Sequence, residues 1–161
     1  GFKVAAGIVA AVAVIAHAWR LAMWNPWKTL RAPLVWILHA SYAWIVVHLA
    51  LRALAVAGLV PATLAIHALT IGVIGGMTIG MMTRTARGHS GRPLVAGGAE
   101  VAAYSLVMAA ALVRVFGGLL APLEYIATVS ASAACWTAAF AIYAVRYTPV
   151  LVLPRVDGQP G

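Results

Sequence analysis

The stretch LAIHALTIGVIGGMTIGMMTRTARGHSGRPL, Leu64 to Leu94, decides the fold class. Its first twenty residues, to Thr83, hold no charged side chain, and its last eleven hold Arg84, Arg87, Arg92 and His89 with Gly88 and Gly91 among them. About 20 apolar residues at a rise of about 1.5 Å each are enough to cross roughly 30 Å of hydrocarbon. The stretch therefore reads as a membrane span that runs into a basic turn.

Four more apolar runs flank it. The spans are expected at Val4 to Trp24, Leu34 to Val56, Ala62 to Thr83, Leu94 to Val115 and Leu123 to Val145, and the tail from Pro149 to Gly161 is expected to be non-helical because of its prolines. The fold class is all-α, a polytopic transmembrane helix bundle of five spans. Composition agrees: 64% of the 161 residues are hydrophobic and 9% charged, outside the range of soluble domains. The formal charge of +8 would point to nucleic acid in a soluble protein, but the bases sit in short connections between apolar runs and do not alternate with aromatics. The partner they imply is the lipid bilayer, not nucleic acid. The single cysteine, Cys135, lies in an apolar run, so the chain has no internal disulfide and no cysteine-built zinc or iron–sulfur site.

Orientation follows from the connections. Lys28 and Arg31, then Arg84, Arg87 and Arg92, then Arg146 and Arg155 fall on one side if five spans alternate, whereas Gly58 to Pro61 and Phe116 to Pro122 carry no base. By the positive-inside rule the N-terminus lies outside and the C-terminus inside. Trp24, Trp27 and Trp36 flank the inner boundary as an aromatic belt would. The first run is too long for a signal peptide. An odd number of spans and a chain that starts at Gly1 suggest part of a larger membrane protein.

Within the spans, Gly72, Gly76 and Gly80 repeat a small-xxx-small spacing that lets another helix approach closely. Four histidines lie at membrane depth, where an ionisable group needs a partner, a cavity or a cofactor. Counting about 1.5 Å per residue puts His39 roughly 8 Å, His17 about 10 Å, Glu100 about 9 Å and Met77 about 8 Å from the inner face, and His48 and His67 in a layer about 21 to 22 Å away. His39 and His48, nine residues apart, occupy opposite faces of one helix. His39 belongs to a polar-aromatic cluster with Ser41, Tyr42 and Trp44, and His67 shares a stripe with Thr70, Ile74, Thr78 and Met81. His17 and His48 read first as packing residues, and the methionines as helix filler before metal ligands. Glu100 reads as a proton relay, a support for a metal ligand or, most simply, the counter-ion of Arg87 or Arg92. The RTARGHSGRP turn admits three readings: an anion cradle for a haem propionate or phosphate, a metal site at His89, or a positive-inside loop in which Pro93 starts the next helix.

Two stretches carry a family resemblance. WNPWKTLRAPLVWILHASYAW, Trp24 to Trp44, holds a Trp-Pro basic turn leading into LHxxYxW, and the stretch quoted at the outset leads from a second histidine into MTRxxxGHxGRPL. Both are similar to blocks of the NnrS family of polytopic membrane proteins, with Ser90 where threonine is common. The resemblance implies a haem- and copper-containing protein of the bacterial inner membrane, linked to nitric oxide, denitrification and tolerance of nitrosative stress. It also implies about twice as many spans, so that this chain corresponds to the C-terminal part and an N-terminal half of the same protein is its partner. It carries His39, His67 and His89 over as candidate metal ligands, with Arg84 and Arg92 as partners of a cofactor's anionic groups; Arg87, in the same turn, joins them by its charge alone. His17 and His48 lie outside the matched blocks, and they, with Met77, Met81 and Glu100, stand as further ligands or supporting groups by depth and chemistry only. The competing function is a transporter or an ion- or proton-conducting fragment, which would use the same buried polar residues. No nucleophile–base pair, carboxylate pair or phosphate loop is present to signal catalytic turnover.

Overall fold

The computed structural model describes residues 1–159 and contains helices and connections only, with no strand among them. Five helices are long and apolar enough to cross a membrane: α1 (Phe2–Met23), α2 (Pro33–Val56), α3 (Ala62–His89), α4 (Gly98–Leu120) and α5 (Tyr125–Val152). Helices α2, α3 and α4 share the interior, α1 lies along α2, and α5 lies along α4. No residue of α1 is buried, so its apolar surface is left for lipid or for other helices.

One half of the core joins Ile37, Ile79, Tyr104, Val107 and Ala139 from α2, α3, α4 and α5. The other joins Trp44, Leu51, Leu64, Ala68 and Val115. Close approach depends on the glycines of α3. A side chain at Gly72 would collide with the Trp44 ring, one at Gly76 with Ser41, and a Cβ at Gly80 would stand 3.0 Å from Ile37.

Two helices carry wide, i→i+5 turns. In α3 the π segment covers Ala68–Gly75, and in α4 it covers Val113–Gly117. Such turns hold more residues per revolution than α-turns, so a face counted at 100° per residue does not continue through them. Thr70, Ile74, Thr78 and Met81 lie exposed, whereas His67, expected on their stripe, is half-buried.

The helix limits differ from the sequence reading by a residue or two at most ends and by more at four, one of them the end of the fourth helix, which lies at Leu120 rather than Val115. The third helix continues past Thr83 to His89, which puts Arg84 and Arg87 on its last turns rather than in a loop. The fourth starts at Gly98 rather than Leu94, so Pro93 does not open it; Glu100 instead reaches back to accept the Gly97 N–H at 2.8 Å. That contact satisfies a donor which the helix itself leaves free. The fifth runs through Pro149 to Val152, so the tail is non-helical only beyond that residue, and its last two residues, Pro160 and Gly161, lie outside the described residues. Near a helix end a proline forfeits only one hydrogen bond of the ladder.

Candidate metal site

The WNPWKT segment builds one wall of the candidate site. Helix α1 ends at Met23, and Asn25 takes a left-handed conformation, φ 51°, which asparagine tolerates better than most residues. The chain then turns through a short 3₁₀ segment, Pro26–Thr29, back onto α2. This places the Trp24 ring 4.7 Å from the Tyr42 ring and 5.9 Å from the His39 ring, centroid to centroid. Trp24, Val35, Leu38, His39, Tyr42, Met77 and Met81 together line a groove of about 570 Å³ between the end of α1, α2 and α3. Cofactor sites occupy roughly 300 to 1,000 Å³.

Hydrogen bonding fixes the state of the imidazole. Thr29 donates its one hydroxyl proton to the Pro26 carbonyl at 2.7 Å, so its 3.2 Å contact with His39 Nδ1 has Nδ1–H as the donor. A proton is thereby held on Nδ1, and in the neutral imidazole this leaves on Nε2 the lone pair that a metal needs. His48 is held the same way, its Nδ1–H donating to the Ala65 carbonyl at 2.7 Å. His17 Nδ1 meets the Tyr42 hydroxyl at 2.7 Å, which ties it to the groove from behind.

The fold thus brings His39, Met77 and Met81 together, with His17 one hydrogen bond away through Tyr42. It does not bring the remaining candidates there. His48 and His67 lie toward the far end of the bundle, and His89 is exposed at the arginine-rich end. Among the described residues no three His, Cys, Asp or Glu side chains cluster, so a metal here relies on sulfur donors, on fewer protein ligands, or on ligands from outside the chain. The expected His39–Ser41–Tyr42–Trp44 cluster splits: Ser41 and Trp44 turn into the core, where the Ser41 hydroxyl donates to Ile37 O and Trp44 packs on Phe116. Trp36, expected in an interfacial belt, packs edge-on against buried Tyr104 at 5.9 Å.

Glu100 shares depth with the groove but not position. It is 3% exposed, and its carboxylate accepts the Tyr147 hydroxyl at 2.7 Å while Arg87 stands 3.6 Å and Arg146 3.8 Å away. The counter-ion reading with Arg87 is the one this geometry supports. Arg87 also gives its Nε–H to the Pro93 carbonyl at 2.7 Å, and a guanidinium so engaged is not free for a cofactor anion. Arg84, one turn beyond Met81 on α3, is exposed and remains available. Arg92 is half-buried, with a buried terminal nitrogen that has no hydrogen-bond partner.

The GHSGR turn is a helix stop that docks the tail. Gly91 has φ +72°, its N–H bonds Gly88 O at 3.3 Å, and the Arg92 N–H bonds Arg87 O at 2.9 Å. This is the paired closure of a Schellman motif, with glycine where the chain turns left-handed. Ser90 adds its hydroxyl to the Arg87 carbonyl at 3.1 Å. Across the turn, Val156 N–H donates to Ser90 O at 3.1 Å and Arg155 to His89 O at 2.9 Å. The carboxylate of Asp157 lies against Gly91 and takes two hydrogen bonds from Arg155, at 2.9 and 2.6 Å. That pairing pulls the Asp157 carboxyl down to about 2 and raises Arg155. The Asp157 carboxylate thus lies beside the turn, held by Arg155 and by the Gln159 N–H at 3.3 Å rather than by the turn's own amides, which are spent on the Gly88 and Arg87 carbonyls.

Sequence reasoning gave Thr29 and Asp157 no role, and Arg155 only that of an inside charge. A threonine three residues after Pro26, ahead of the helix that bears His39, is a weak signal for Thr29. Nothing local announces that the tail returns to the turn.

No curated protein and no solved structure matches the chain. The family model described as NnrS protein matches residues 2–155, nearly the whole chain. The chain belongs to the NnrS family.

Proposed function

We propose that this chain binds haem and copper in a bacterial inner membrane and serves the nitric oxide response and nitrosative-stress tolerance that accompany denitrification. The observation that carries the reading is His39, held as its Nδ1–H tautomer by Thr29 in a groove that also holds the Met77 and Met81 thioethers. Imidazole and thioether are donors suited to copper(I), and a neutral imidazole is equally the proximal donor of many haems. Either metal, when bound, supplies a centre that takes nitric oxide.

The chain's own residues orient and shield. Thr29 holds the imidazole tautomer, and Trp24 lies across His39 and Tyr42 at the groove's edge. The Tyr42–His17 pair places a hydroxyl beside the groove, where it can share a proton. Arg84 is the arginine best placed for an anionic group of the cofactor. The arginine-rich end, which also holds the tail, faces the cytoplasm, and helices from the N-terminal half of the same protein supply further ligands.

The test is metal and haem content of the detergent-purified full-length protein, by mass spectrometry and Soret absorbance. Wild type is expected to carry both. His39→Ala and the Met77→Leu/Met81→Leu pair lower copper, haem or both, whereas His89→Ala leaves them unchanged. Wild-type protein without copper and without haem would sink the reading and favour an ion- or proton-conducting role.

A further inference from the structure

On the opposite side of the bundle from the His39 groove, Ala99, Ala141, Ile142, Val145, Arg146 and Pro149 line an open groove of about 540 Å³ between α4 and α5. Arg146 supplies its only charge, and 60% of that side chain is exposed. Its acidic neighbour, Glu100, is already shared with Arg87 and hydrogen-bonded by Tyr147, so two guanidiniums face one carboxylate. A positive charge is left over. Pro149 contributes a second polar feature. Having no N–H, it cannot donate to the carbonyl of Val145 four residues earlier, and both residues line the groove.

Depth decides what meets this pair. Helix α5 has 28 residues and so spans roughly 42 Å, about 12 Å more than the hydrocarbon layer. Centred in the bilayer, it would hold Arg146, six residues before its end, within about 3 Å of the boundary between acyl chains and headgroups. An exposed cation there, above an apolar channel, meets lipid phosphate.

We propose that this groove is a binding site for an anionic phospholipid, with its phosphate on Arg146, a headgroup hydroxyl on the Val145 carbonyl and an acyl chain against Ala99, Ala141 and Ile142. Charge complementarity selects the headgroup, and the apolar lining selects a chain-bearing ligand over a free anion.

The test titrates the full-length protein in detergent with phosphatidylglycerol and with phosphatidylcholine of the same acyl chains, counting bound lipids by native mass spectrometry. Wild type should hold phosphatidylglycerol about fivefold tighter, the ratio typical of one basic residue at an anionic surface. Arg146→Gln should remove that preference, Arg146→Lys should keep it, and Lys28→Gln should not alter it. Ala141→Phe, which fills the channel and leaves every charge in place, should weaken both lipids. Equal affinity of wild type for the two lipids would overturn the proposal. So would a loss of preference in Lys28→Gln equal to that in Arg146→Gln, or unchanged binding in Ala141→Phe. Competition by glycerol phosphate as effective as that by the lipid would replace it with a site for soluble anions.

Discussion

Replacing Gly91 by alanine should release the tail without unfolding the bundle. Gly91 holds φ +72°, a conformation that costs an L-residue about 1 to 2 kcal/mol. The new Cβ would also stand 2.6 Å from Asp157 Cγ and 2.7 and 2.8 Å from its two oxygens, closer than such atoms pack. Something must shift, and the tail is the weaker side. It is held to the turn by the Val156 amide and the Arg155 guanidinium, whereas the helix end is closed by bonds to Arg87 O and Gly88 O and packed at Ala86. Where the turn relaxes out of that conformation as the tail leaves it, the φ term corresponds to an increase of about five- to thirtyfold in tail opening. Hydrogen exchange of the Val156 amide and tryptic cleavage after Arg155, both in detergent, read that opening, and the amides of Ile79 and Val107 report the core. The amide and the cleavage site should accelerate together while the core does not change. Asp157→Ala separates the two causes, because it removes the carboxylate and leaves only the φ term. If Gly91→Ala had the same effect relative to both backgrounds, the collision with Asp157 would be refuted. If it had no effect in either, the docked tail itself would be.

Three further outcomes follow from contacts elsewhere. The Asp157 carboxyl is lowered from its ordinary range to about 2 by Arg155, so its contribution to tail docking is fully present above about pH 4 and is lost as pH falls from there toward 2; hydrogen exchange of the tail should show that transition, and Asp157→Asn should not. Glu100→Ala leaves the buried Tyr147 hydroxyl without its acceptor and the Arg87 guanidinium without its counter-ion, a loss of about 3 to 5 kcal/mol, whereas Glu100→Gln keeps an acceptor for Tyr147 and loses less; thermal unfolding in detergent ranks the two. Thr29→Val removes the acceptor of His39 Nδ1–H and should weaken copper or haem binding about 10- to 100-fold, whereas Thr29→Ser restores it, as read by metal titration.

Depth was legible in the sequence, and direction around the bundle was not. A rise of about 1.5 Å per residue put His17, His39 and Met77 in one layer, and the structure gathers all three about Tyr42 and its groove. The same count put Glu100 in that layer, yet it sits with Tyr147 and Arg87 in a separate cluster. Which face of a helix meets which neighbour depends on packing that no single span encodes. In α3 the difficulty is doubled, because the π segment Ala68–Gly75 resets the face that a regular count would extend from His67 to Met81. The collision that a side chain at Gly72 would make with Trp44 shows what drives this packing: the wide turns and missing side chains let the two helices close on a tryptophan.

The GHSGRP motif stayed open among three readings for a different reason. Glycine amides beside arginines suit an anion cradle, and the same residues suit the end of a helix. Spacing could have separated the two. Arg87 and Arg92 stand five apart, the interval at which an amide closes on a carbonyl across a C-terminal cap, and Gly91 falls where that cap turns left-handed. Ending the helix at Thr83, where hydropathy falls, hid this register, because the last turns of α3 are polar and leave the apolar layer while remaining helical. Gly91, just past the helix end at His89, leaves empty the space where a side chain would stand, and the Asp157 carboxylate packs there. A motif that looks built for a foreign anion can thus owe its residues to a helix end and to the chain's own carboxylate. Arg84, upstream of the motif and one turn from Met81, is exposed and takes no part in this closure, so it is the arginine to replace first in testing for a bound anionic group.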